Sequence, residues 1–154
     1  MAEVKAAFVI LCDTREQRPP PFPAGVELQR ATLAEGDYTS LACQGIAVVE
    51  RKSPSDMAGS LTHGRERFDD EIRRLLAYRW RAIVVEGSMD EVWRASGVHP
   101  HSVIGSVASF LARSDLPTLF VPNPASAGRM IAGVLKRWGE RLAAEVGQND
   151  APPG

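Results

Sequence analysis

Gly36-Asp37 and Glu50-Arg51-Lys52 place two carboxylates and an amine in short stretches that read as parts of strands. Side chains alternate across a strand, so Glu50 and Lys52 share one face while Arg51 points to the other. Tyr38 to Cys43 and Ile46 to Arg51 both favour strand, and Gln44-Gly45 fits a two-residue hairpin turn between them. In that register Asp37 lies at the open end of the hairpin, near Glu50. Asp13, which closes the apolar run from Ala6 to Cys12, reaches the same edge from a neighbouring strand end. Three acids then converge with one amine.

Carboxylates held together raise one another's pKa unless a cation neutralises them, and a hard divalent ion such as magnesium is the natural partner. Bridging a phosphate oxygen and a water, such an ion lowers the water's pKa, while Lys52 stabilises the hydroxide or the charge growing on phosphorus. Phosphodiester hydrolysis needs those parts. A competing reading has Glu50, Arg51 and Lys52 merely solvating the end of an edge strand, with Asp37 serving the turn after Gly36. That reading requires no metal affinity.

The elements that must hold these residues follow from periodicity. Pro19 to Pro23 forces an extended loop, and Val26 to Thr32 alternates like a strand with one wet face. Ser53-Pro54-Ser55-Asp56 has the form of a helix start, with Ser53 as cap and proline in the first turn. Arg65 to Tyr78 puts Phe68, Ile72, Leu75 and Leu76 on one helical stripe. Ala82 to Glu86 reads as a buried strand, His101 to Arg113 as helix, Thr118 to Val121 as strand, and Pro124 towards Val146 as helix. Strands with an early antiparallel hairpin, then alternating helix and strand, predict an α/β fold with a mixed central sheet covered on both faces.

At 154 residues the chain fits one domain, taken as residues 6–147, with 148–154 as a disordered tail. No apolar run is long enough to span a membrane, and the start lacks a signal-peptide pattern, so a cytoplasmic location is expected. Two cysteines, Cys12 and Cys43, sit in apolar runs and suit buried thiols rather than a disulfide framework or a structural zinc site. With 18 basic against 19 acidic side chains, nucleic-acid binding has to rest on local patches.

Taken together, Gly36-Asp37, Glu50-Arg51-Lys52 and Asp56 resemble the signature of the nuclease domain of XPF- and Hef-type structure-specific DNA endonucleases. The likeness extends to Asp13-Thr-Arg15-Glu16, Gly64-Arg65 with Phe68, Val84-Val-Glu86-Gly87 and Val98-His99-Pro100, spanning roughly Val9 to Trp138. It implies a restriction-endonuclease-like fold and magnesium- or manganese-dependent cleavage of DNA near junctions, forks and flaps, in repair or recombination. Carried over residue by residue, it assigns metal ligation to Asp37 and Glu50 with Asp13 as third acid, and the attacking water to Lys52. Arg15 and Arg51 match charged positions around that site, and Asp56 matches the final acid of the signature. Arg51, facing away from Glu50, is expected to brace a carboxylate such as Glu16 or Asp56. That family continues into a tandem helix-hairpin-helix module, whereas this sequence ends at Gly154. A partner chain or a homodimer of the nuclease domain is expected to restore that function. The same family includes catalytically silent DNA-binding or scaffolding subunits, a reading that the intact Asp37, Glu50 and Lys52 oppose.

Weaker signals complete the picture. Arginines cluster from Arg65 to Arg81, interleaved with acids; Arg65, beside the motif helix, and Arg15 are the candidates for DNA contact. His99-Pro100-His101 reads as a loop and helix start rather than a metal site. His63 approaches the active edge, Glu86 is either an outer acid of the site or a loop cap, and Trp80, Trp93 and Trp138 suit core or interface positions. A nucleotide-binding module is left without a phosphate cradle, since no glycine-rich loop follows any strand.

Overall fold

The computed structural model describes residues 7–150. Six strands, β1 (Phe8–Asp13), β2 (Val26–Ala31), β3 (Tyr38–Ser40), β4 (Ala47–Lys52), β5 (Trp80–Val85) and β6 (Thr118–Phe120), form one sheet in the order β2-β1-β3-β4-β5-β6. β3 runs antiparallel to both β1 and β4, and the other pairings are parallel, so the sheet is mixed as the patterning predicts.

Five helices cover it: α1 (Pro54–Leu61), α2 (Arg65–Leu75), α3 (Met89–Ser96), α4 (Pro100–Ser114) and α5 (Pro124–Asn149). On one face Val48, Ile83 and Val85 pack against Met57, Phe68, Leu75, Val92 and Phe110 from the first four helices. On the other, Ile10, Val49 and Val84 meet Ile131 and Leu135 of α5. Helices on both faces are what make Ala47–Val49 of β4 and Ala82–Val85 of β5 run apolar without alternation.

Three local expectations are corrected and one helix is added. The β3–β4 connection is not a two-residue hairpin turn: β3 stops at Ser40, a 3-10 turn takes Leu41–Cys43, and Gly45 adopts a φ of 72° before β4. β2 has no dry face, because it is an edge strand paired only with β1, and its four central residues are exposed. The short helix α3 was hidden between strand and loop; a reciprocal cap between Ser88 and Glu91 starts it and Gly97, at a φ of 68°, ends it. Gln148 and Asn149 belong to α5, and the rest of the anticipated tail, 151–154, lies outside the described residues.

One topological consequence governs the site. β3 is antiparallel to its neighbours, so its amino end lies on the same rim of the sheet as the carboxyl ends of β1, β4 and β5. Residues far apart in sequence are thereby brought to one edge, where ligands of such sheets bind.

Candidate active site

The rim opens into a cleft of about 640 Å³ whose walls include Asp13, Asp37, Glu50, Lys52 and Glu71. Strand alternation works as read: Lys52 Nζ stands 3.9 Å from Glu50 Oε1, and Arg51 turns to the opposite face. Lys52 is only 8% exposed. Its ammonium is fixed by Glu71 Oε2 at 3.2 Å and lies 5.2 Å from the centre of the Phe68 ring, both on α2.

Asp37 is seated by the glycine before it. Gly36 has a φ of 74°, and a Cβ there would stand 2.3 Å from Val48 Cγ2, so a side chain is excluded on both grounds. The Asp37 amide donates to the carbonyl of Val49 at 3.0 Å, and its carboxylate accepts from the Arg51 amide at 2.8 Å. Burial pushes the Asp37 carboxyl up to about 6, against the opposing pull of that amide, with Glu16 and Glu71 adding repulsion. Glu50 is raised well above the usual carboxylate range, first by burial, then by the charges of Asp37 and Glu71, with Lys52 acting against them.

Against this geometry, a family model for the ERCC4 domain matches residues 12–134. The chain belongs to the ERCC4 domain family. Two solved structures of XPF from Aeropyrum pernix, the second in complex with DNA, share the fold with this ERCC4 domain at TM-scores of 0.70 and 0.69 and identities of 26% and 27%. They cover 84% and 87% of this chain, which spans 61% and 66% of theirs, less than two thirds in each case. No curated protein matches. The XPF-type likeness read from the motifs and the α/β, restriction-endonuclease-like architecture are thus shown.

Not every candidate of the ERCC4 domain joins the acid pair. Asp13 lines the cleft but is 1% exposed, with its carboxylate already engaged: Oδ2 accepts from Arg15 Nε at 2.6 Å and Oδ1 from the Leu33 amide at 3.0 Å. The Arg15 and Leu33 donors outweigh its burial and hold its carboxyl below the usual range. Its geometry is that of a brace for the loops after β1 and β2. Arg15 takes part in the same brace through Asp13 and the Leu33 carbonyl. Arg51 pairs with Glu86 through both ends of its guanidinium and with Glu16 at 3.1 Å. Glu16 is the partner anticipated; Asp56 is not, being exposed on α1 with its amide capped by Ser53 Oγ. Arg65 donates to the Leu61 carbonyl and to Ser106 Oγ. His99 is the N-cap of α4, as the loop reading required.

Glu71 was missed. It falls in a helix segment so rich in alternating charge that it reads as solvated surface. The available signal was its place three residues after Phe68, at the border of the buried stripe.

Proposed function

We propose that the cleft cuts DNA by metal-dependent hydrolysis of a phosphodiester bond, with Asp37 and Glu50 holding magnesium or manganese. The observation that carries this is a pair of half-buried carboxylates with raised pKa values beside a fixed ammonium on one sheet rim. Among the described residues no three His, Cys, Asp or Glu side chains are grouped as a complete cage. Two carboxylates with the remaining positions left to water and phosphate oxygen is the habit of magnesium, and the all-oxygen donors fit it. Bound there, the ion would supply Lewis acidity and an activated water.

The chain's own groups do the rest. Lys52 presents its ammonium to the negative charge that builds on the attacked phosphate. Glu71 and Phe68 restrict where Nζ points, so Glu71 is a positioning residue. Membership of the ERCC4 family and likeness to an XPF structure in complex with DNA support DNA, with branched, flapped or forked forms as the preferred class. We assign cutting to this chain, with a second copy or a partner chain contributing to the choice of DNA structure.

The test incubates the protein with fork, flap and linear duplex DNA in magnesium, manganese or chelator. Cleavage that requires metal and falls at least a hundredfold in Asp37→Asn and Glu50→Gln supports the reading. Binding without cleavage in any metal would replace it with a silent DNA-binding subunit.

A further inference from the structure

Beyond the cleft, two further cavities of about 300 and 370 Å³ flank Arg65 between α1, α2 and α4. The first shares Ser60 and Phe68 with the cleft wall, so the two hollows adjoin. It is lined by Arg65, Ser102, Gly105, Ser106, Ser109 and Arg113, and no carboxylate lines either cavity. The near-neutral overall charge of the chain therefore hides a groove whose lining charges are two arginines, one of them, Arg113, paired with Asp69 just outside it.

Arg65 is held rather than neutralised. Nε donates to the Leu61 carbonyl at 2.7 Å and Nη2 to Ser106 Oγ at 2.8 Å, and among the described residues no acid pairs with it. A guanidinium carries five donors, so the rest remain available in a fixed orientation. Arg113 is tethered to Asp69 at 2.9 Å from the far end of the groove. From Ser102 to Arg113 the helix α4 advances about 16 Å, close to the axial length of about five nucleotides of one duplex strand.

We propose that this groove is a track for the sugar-phosphate backbone of the DNA strand leaving the cleft, read without regard to base sequence. Its hydroxyls, small residues and arginines suit phosphate oxygens. The inference rests on the nuclease reading of the adjoining cleft, and its test separates the two.

DNA affinity is measured by fluorescence anisotropy of a labelled fork in chelator, across a salt series, for the full chain, Arg65→Met with Arg113→Met, and Ser106→Asp. The double variant is expected to bind at least tenfold more weakly near physiological salt, with the slope of log affinity against log salt reduced by about two. Ser106→Asp sets a carboxylate beside Arg65 without deleting the arginine's bond to Leu61, and should reduce the slope by about one. If the double variant fails to fold, that single variant carries the test. All should keep the rise in melting temperature caused by manganese at Asp37 and Glu50. Unchanged affinity and slope in the folded variants, or a wild-type chain that takes up manganese but binds no DNA, would overturn the track. DNA binding that depends on Arg65 and Arg113 in a chain with no metal response would keep the track and remove the nuclease reading.

Discussion

Asp37 is held where burial and neighbouring acids disfavour its charge. Its folded-state pKa of about 6 lies above the value of about 3.9 for an unfolded chain. The folded protein therefore binds the extra proton between those values. Stability tied to Asp37 is present below about pH 4 and is lost as pH rises through about 6, up to about 3 kcal/mol in all. Asp37→Asn keeps the oxygen that accepts from the Arg51 amide while removing the charge. Without metal it should melt several degrees higher than the parent at pH 8 and nearly level with it at pH 4, measured by calorimetry. A variant that melts lower at pH 8 would contradict the buried-charge account. Lys52 gives the complementary case. Lys52→Met keeps packing on Phe68 but removes the ammonium, so DNA cleavage should fall about a hundredfold or more while the manganese-induced rise in melting temperature persists.

At the scale of elements, the rim is held in register by a clamp on the face opposite the acids. Arg51 on β4 reaches Glu86 just beyond β5 and Glu16 after β1, while its amide holds Asp37 before β3. One residue thus ties together four chain segments that supply or flank the site. Glu86→Gln weakens this part-buried pairing, leaving Arg51 with Glu16 as its remaining carboxylate, and should destabilise the fold by about 1–3 kcal/mol in denaturant melts. It should also weaken manganese binding, because Asp37 depends on the same strand end; full stability would make the clamp dispensable. Arg51's direction was legible because alternation along a strand needs no tertiary knowledge, and α1 was legible because Ser53 and Pro54 act within one turn. α3 was not, because eight residues bury only Val92, too little to set a period. The short β3 escaped for a related reason: strand propensity cannot foresee that the chain coils at Leu41 to pack Cys43 under α5.

For the molecule as a whole, the candidate site is a property of topology more than of any one motif. The motif residues Asp37, Glu50 and Lys52 were legible, since strand ends and parity fix their meeting. Asp13's bracing bonds and Glu71's arrival were not, because each depends on a partner brought in by the tertiary fold, Leu33 in one case and α2 packing in the other. This origin makes metal affinity a measure of global folding. Asp37 and Glu50 lie on segments joined only through the folded sheet, so the unfolded chain holds no equivalent site and an ion binding there stabilises the native state by mass action. At manganese a hundredfold above its Kd the gain is about 2.7 kcal/mol, or about 5–10 °C in melting temperature for a chain of this size. The rise should be larger at pH 8 than at pH 5, because the carboxylates must give up their protons to take the ion. It should vanish in Glu50→Gln. An equal rise in that variant, or one independent of pH, would place the ion elsewhere on the protein and separate metal binding from this rim.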